Sequence, residues 1–373
     1  MNIILDGIIF EQQARGGIPR IYQEIMPRIC DLEASIQFFV LTHGPIRSKW
    51  PAHAQIVHRR LCSLNRYIQP GAYFWSLKKR VRSWTAGLSL TTQANDIWHS
   101  THYTLPHKWK GPRLISAYDL LFERFASMFD KPLYHQIRVQ MRNCITDADA
   151  VICISETTKK EIIDYYQIES SKLYVVPLAY SPVFRPLPLS ESQNKWVGQK
   201  PFFLYVGGRG QYKNFATVLR AFEIWSRKTE IELLVVGSEW TATEKKILSE
   251  KKLHTHVRLL GHLEDEVLCM LYNRAKAFIY SSLFEGFGLP PLEAMACGCP
   301  VIASRIPSTV EVAGEIPIYF EPTAPESLRD AFDIVLNEAK NTHRLHTGFE
   351  HIKHYSWGKV AQQTLDLYQL FSS

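Results

Sequence analysis

Twelve short apolar runs, separated by helix-length segments or loops, constrain this chain most. The first six are Ile3–Leu5, Phe38–Leu41, Ile97–Ser100, Leu114–Ala117, Ala150–Ile154 and Leu173–Val176. The second six are Phe202–Val206, Glu232–Val236, Val257–Leu260, Ala277–Tyr280, Val301–Ala303 and Ile318–Phe320. Runs of this kind alternate with helical patterns when parallel strands form a sheet covered on both faces. Two sets predict two Rossmann-like α/β domains, at 1–180 and 201–355, and 373 residues suffice for two full cores. Between them, 181–200 has linker composition, with Pro182, Pro186, Pro188 and the polar run SESQNKW. Two capping boxes are expected to open helices in the second half: Thr241 with Glu244, and Thr323 with Glu326.

The stretch AFIYSSLFEGFGLPPLEAMACGCPVIASR carries the densest pattern. A strand, Ala277–Tyr280, breaks into a loop holding Glu285 and the turn Gly286-Phe287-Gly288. Pro290 and Pro291 then open a helix, since proline is tolerated where an N–H needs no intrahelical partner. Gly298 suits the helix end and Pro300 forbids continuation. The loop and helix start belong at the carboxyl edge of a sheet, where open α/β folds bind ligands. A helix N-terminus favours an anion. Glu293, placed in the first helical turn, suits the two hydroxyls of a ribose, though it also reads as an ordinary N-terminal charge. Glu285 is free to bond a sugar hydroxyl or to face charge developing near an anomeric carbon.

A second loop, Gly207-Gly208-Arg209-Gly210-Gln211-Tyr212-Lys213-Asn214, follows the first strand of the second half. Glycines allow close backbone approach, and Arg209 with Lys213 offers the donors and charge that a diphosphate needs. The spacing is not that of a Walker loop. By itself this reads first as a glycine turn with two solvated bases, and only second as a phosphate loop. Two such segments at one sheet edge point to a nucleoside diphosphate.

The first half is less telling. Gly16-Gly17 precedes an amphipathic helix and suits either a ligand or a plain turn. Asp119 ends the strand LISAYD, and His99 and His102 lie near the end of another, where each reads as structural or catalytic.

Charge is unevenly placed. The net +7 arises from a block between Ala34 and Asn95 that has nine Lys/Arg and no acid. Within it, residues 70–84 mix Tyr73, Phe74, Trp75 and Trp84 with Lys78, Lys79, Arg80 and Arg82. That mixture suits an interfacial helix on an anionic membrane, or a solvated helix whose aromatics pack on its own domain. No nucleic-acid motif accompanies the patch. No apolar run reaches the length of a membrane-spanning helix, and the N-terminus reads as a strand, not a signal peptide. The seven cysteines form no C-x-x-C pair, which predicts reduced core thiols in a cytoplasmic protein.

Taken together, these residues resemble glycosyltransferase family 4, the retaining nucleotide-sugar-dependent enzymes of GT-B fold. The resemblance runs from GGIPR (16–20) through DADAVICISETTKKEI (147–162), KLYVVPLAYSPVF (172–184) and LYVGGRGQYKNF (204–215). Its most specific part is EGFGLPPLEAMACGCPVIAS, the family's E-x7-E motif with Glu285 and Glu293 in place. The resemblance implies two Rossmann-like domains with parallel sheets facing across a cleft, and a C-terminal helix, 356–373, packing back on the N-terminal domain. It implies that Glu293 holds the donor ribose and Glu285 contacts the transferred sugar. Arg209 and Lys213, with the amides of Gly288 and Leu289, would neutralise the diphosphate. Leu263 would pass beside the base, and Gly17 would close on the phosphates from the other domain. Catalytic roles fall to Glu285, Asp119, Arg209 and Lys213, and an acceptor side to His102, Tyr118 and Asp119. Tyr118 is a departure, because many members have histidine there.

The expected partners are a nucleoside-diphosphate sugar, with GDP-mannose the guess, and a glycan or lipid-linked acceptor in polysaccharide biosynthesis. No cofactor is expected: the nucleotide sugar is a substrate, and no clear D-x-D pair is present to hold a divalent cation. The expected place of work is the cytoplasm, on the inner face of the cytoplasmic membrane. Two other readings stand beside this one. Nucleotide-sugar 2-epimerases share the architecture, although the E-x7-E motif argues against that activity. A non-catalytic nucleotide-sugar or glycan-binding protein is suggested by Tyr118.

Overall fold

The computed structural model describes residues 1–14, 16–61, 94–188, 200–226, 230–336 and 338–372, with 338–341 described for the backbone alone. The basic aromatic block at 70–84, Cys62 and most of the expected linker lie outside the described residues. The chain divides into two compact units, Met1–Leu178 with Ser356–Ser373, and Ala179–Tyr355.

The first unit is built on a seven-stranded parallel sheet. Its strands are β1 (Asn2–Asp6), β2 (Gln37–Thr42), β3 (Ile56–Arg60), β4 (Ile97–Ser100), β5 (Arg113–Ala117), β6 (Ala150–Cys153) and β7 (Leu173–Val175). They lie in the order β3-β2-β1-β4-β5-β6-β7. The central strand β1 pairs with both neighbours, Ile4 standing opposite Phe39 and Trp98. The sequence patterning misses β3. Among the described residues it is an edge strand of the sheet, burying only Ile56 and exposing His58, Arg59 and Arg60, and an edge need not be apolar.

The C-terminal helix Trp357–Ser372 belongs to this unit and packs on the helix Gly17–Leu32. Tyr368, on that C-terminal helix, is fully buried and bonds through its hydroxyl to His99 Nδ1 at 2.6 Å.

The second unit has a six-stranded parallel sheet. Its strands are β8 (Phe202–Val206), β9 (Glu232–Val236), β10 (Val257–Leu259), β11 (Ala277–Tyr280), β12 (Val301–Ser304) and β13 (Ile318–Phe320). The order β10-β9-β8-β11-β12-β13 is that of a Rossmann fold. Phe203 on β8 stacks on Phe332 at 4.9 Å and packs against Trp225 at 5.2 Å, holding the helices Phe215–Ser226 and Pro325–Val335 against one face. The chain reverses its progress across the sheet between β8 and β11. The loops leaving these two strands therefore flank the crevice where such sheets bind ligands.

Helix signals are mostly realised. Thr241 and Glu244 form the reciprocal capping box of the helix Ala242–Glu250. The helix Leu289–Ala296 ends in a Schellman motif, with Gly298 at φ +70° and Cys299 N donating to Ala294 O at 2.9 Å. The box expected at Thr323 is absent. Pro325 takes the first helical position, which makes Ala324 the N-cap and leaves Thr323 one residue too early. Thr323 Oγ1 donates to the Glu321 carboxylate instead.

Candidate active site

In the second unit, the loops after β8 and β11 are bonded to each other. Leu283 N donates to Tyr212 O at 2.7 Å, and Ser281 Oγ donates to Lys213 O at 2.7 Å. Lys213 Nζ donates to Glu285 Oε1, and Ser282 Oγ reaches the same oxygen at 2.6 Å. Asn214 takes the left-handed conformation at φ +57° and anchors the loop by donating from Nδ2 to Pro322 O. Two segments far apart in sequence thus present one polar surface at the carboxyl edge of the sheet. Lys213 and Glu285 side chains are 23% and 17% exposed, so both charges remain within reach of a ligand.

Gly288 is the N-cap of the helix Leu289–Ala296 and sits at φ +110°, a conformation that favours glycine. Pro290 and Pro291 carry no N–H. Among the first three helical positions only Leu289 therefore offers an amide to an anion. Glu293 lies at the fifth helical position, beyond the first turn where the sequence reading put it, and it is buried. Phe287 is buried with its ring edge-on to Tyr355, which fixes the glycine turn from below.

Arg209 is less available than expected. Its side chain is only 4% exposed. Nε donates to Glu244 Oε1 at 2.7 Å, and Nη2 donates to Glu244 Oε2 at 3.3 Å and to Glu239 O at 2.8 Å. The guanidinium lies over the Trp240 ring, 4.6 Å from its centroid. Nη1 is buried without a hydrogen-bond partner among the described residues. Burial pushes the Glu244 carboxyl up, but the bonds from Arg209 and Thr241 outweigh it and hold the group below its usual range. The sequence reading missed Glu244 as a site residue. Its capping-box signal was legible, whereas its contact with a residue on another loop was not. Leu263 is half-buried in the loop after β10, where Gly261 takes φ +72° and accepts from Gly237 N at 2.9 Å.

The remaining candidates belong to the first unit. Gly17 is the first residue of the helix Gly17–Leu32. Asp119 is half-buried and its Oδ1 accepts from Leu121 N at 3.0 Å, a local turn bond. His102 is half-buried beside the Tyr103 ring. Tyr118 is buried; its hydroxyl donates to Thr101 O at 3.1 Å and lies 2.8 Å from the Tyr22 hydroxyl, from which it therefore accepts. That hydroxyl is spent inside the core. His99 is also a core residue, held between Tyr368 and Ser116 Oγ, and burial lowers its pKa to about 3. Near Asp119, burial raises the Glu161 carboxyl to about 7 despite its ion pair with Arg124. No sequence pattern marked Glu161, which is buried by tertiary packing alone.

A D-x-D triplet does occur, Asp147-Ala148-Asp149. Asp149 directly precedes β6, at the amino edge of the sheet, and accepts from Arg113 N at 2.8 Å. It lies at the opposite edge from the strand ends where this fold class binds ligands. Among the described residues, no helix is long and apolar enough to cross a membrane.

Comparison with known proteins agrees with the strand order. Residues 16–182 match the family described as Glycosyltransferase Family 4, and residues 188–348 match Glycosyl transferases group 1. The chain is 25% identical over 380 residues to O-antigen chain mannosyltransferase B of Escherichia coli, covering 95% of this chain and 96% of that protein. Among solved structures, sucrose-phosphate synthase from Thermosynechococcus elongatus superposes with a TM-score of 0.81 at 19% identity, covering 99% of this chain and 98% of the other. HepE from Anabaena, crystallised with UDP and glucose, gives 0.70 at 14% identity and covers 99% of both chains. These likenesses establish the fold as GT-B.

Proposed function

Because the chain belongs to the glycosyltransferases that join a family 4 domain to a group 1 domain, we propose that it is a retaining hexosyltransferase of bacterial surface-polysaccharide assembly. It moves a sugar from a nucleoside-diphosphate donor, GDP-mannose in this reading, to a glycan or lipid-linked acceptor. The observation that carries the site assignment is the bonded pair of loops after β8 and β11, which gathers Lys213, Glu285 and the start of the helix Leu289–Ala296 at one sheet edge. The 25% identity to an O-antigen chain mannosyltransferase, spread over nearly the whole chain, supports the choice of mannose.

In this mechanism the bond between the anomeric carbon and the diphosphate oxygen breaks as the acceptor oxygen attacks from the same face. The acceptor proton passes to a phosphate oxygen of the departing nucleotide. Lys213, Arg209 and the Leu289 amide stabilise the charge that develops on the diphosphate. Glu293 accepts the ribose hydroxyls, and Glu285 faces the transferred sugar. Since protein cations meet the leaving group, transfer is expected to continue in the presence of EDTA.

The deciding experiment incubates the purified protein with GDP-mannose and a lipid-linked glycan. A mannosylated product with retained configuration is expected. An epimerised nucleotide sugar formed without acceptor would overturn the reading in favour of a 2-epimerase. The basic aromatic block at 70–84 fits a peripheral enzyme that meets its acceptor at an anionic membrane. Co-sedimentation with anionic vesicles at low salt, lost on neutralising Lys78, Lys79, Arg80 and Arg82, tests this; no binding rejects it.

A further inference from the structure

We propose that Glu244 is a positioning residue for the donor diphosphate, acting through Arg209 and never touching the ligand itself. The inference rests on the proposed role of Arg209 as a diphosphate-binding cation.

Free arginines on glycine loops sample many rotamers, and each ordered contact must overcome that entropy. Here the guanidinium is already fixed. One carboxylate takes two of its nitrogens, the Glu239 carbonyl takes a further N–H, and the guanidinium carbon sits 4.6 Å from the centroid of the Trp240 ring. Glu244 is fixed in turn, because its Oε2 accepts from Thr241 N at 2.7 Å and from Thr241 Oγ1 at 2.9 Å within the capping box. A single side chain therefore both starts the helix Ala242–Glu250 and orients the cation of a different loop.

What remains of Arg209 is Nη1, with two N–H groups that have no acceptor among the described residues. Buried donors left unpaired are costly, and an incoming phosphate oxygen would satisfy them with charge-assisted bonds. Nη1 lies beside the glycine turn: the point that a Cβ on Gly237 would occupy is 3.2 Å from Nη1 and 2.6 Å from Gly207 O. A Cβ on Gly207 or Gly208 would meet nothing within 4 Å, so the turn itself leaves open space for a ligand.

The sign of the effect separates positioning from simple electrostatics. Removing an acid near a phosphate raises the local positive potential, which alone would tighten binding. Loss of positioning loosens it. Glutamine keeps a capping box intact, so Glu244→Gln preserves the helix start while losing the charge and one acceptor.

The experiment measures binding of GDP, UDP, guanosine and uridine to the full chain by calorimetry or competition, with thermal stability recorded for each variant. For the better-bound diphosphate, Glu244→Gln is expected to weaken affinity about tenfold and leave the matching nucleoside unchanged. In an Arg209→Ala background the same substitution should have no further effect. Equal or tighter diphosphate binding by Glu244→Gln would overturn the proposal. So would a loss shared equally by the nucleoside, or one that persists without Arg209. If Arg209→Ala and Lys213→Ala both bind the diphosphate as wild type does, the diphosphate reading of the site fails. If those two weaken binding and Glu244→Gln does not, the role of Glu244 alone fails.

Discussion

Lys213 Nζ and Glu285 Oε1 form an ion pair across 72 residues of sequence, joining the loops that leave β8 and β11. The pair sets the resting charge of the site: the lysine proposed to meet the diphosphate is neutralised by the glutamate proposed to face the sugar. Lys213→Ala removes leaving-group charge stabilisation and is expected to lower kcat/KM by about 10²–10³-fold. Glu285→Gln is expected to lower kcat while binding the nucleoside diphosphate at least as well as wild type, since it releases Lys213. Steady-state kinetics with GDP-mannose, beside GDP binding, check both.

The Tyr118 hydroxyl, assigned to the acceptor side by the family resemblance alone, is bonded to Thr101 O and Tyr22. Tyr118→Phe removes the donor to Thr101 O and the acceptor for the Tyr22 hydroxyl inside the core. It should reduce stability by about 1–3 kcal/mol while holding kcat within about threefold. Denaturant titration and kinetics on one preparation decide it; a large fall in kcat at unchanged stability would return Tyr118 to the reacting groups.

His99 predicts a pH dependence. Burial lowers its pKa to about 3, whereas the unfolded chain has the ordinary 6.5. Between these values the unfolded state binds the extra proton, so its contribution to stability is full above about pH 6.5 and is lost as pH falls toward about 3. One proton corresponds to a slope of about 1.4 kcal/mol per pH unit inside that window. Unfolding of wild type and His99→Gln from pH 7 to pH 4 should give a shallower slope for the variant. Identical slopes would show that another group carries the titration.

Gly237 is a steric prediction. A Cβ there would lie 2.6 Å from Gly207 O, a backbone atom that cannot step aside cheaply. Gly237→Ala should therefore shift the glycine loop, cost about 1–3 kcal/mol and weaken GDP binding together with it. Gly208→Ala, where the added carbon meets nothing within 4 Å, should leave stability within about 0.5 kcal/mol. Thermal unfolding of the two variants compares them directly.

Sequence alone determined the strands whose both faces are buried, because such strands must be continuously apolar. Ile3–Leu5 and Ala277–Tyr280 are examples. It also located the glycine loops and the helix Leu289–Ala296, since glycine and proline act on the backbone locally whatever lies nearby. It could not find β3, whose edge position frees it from the apolar rule. It misplaced the cap at Thr323, where proline fixed the helix start one residue later.

The tertiary structure decided which charges meet. Arg209 and Glu244 are 35 residues apart, and Lys213 and Glu285 are 72 apart. No periodicity encodes either pair, because each depends on which strand ends a parallel sheet sets side by side. For the same reason only the folded chain shows that His99, near a strand end and open to either role by sequence, and Tyr118, given an acceptor side by the resemblance, are bonded within the core of the first unit.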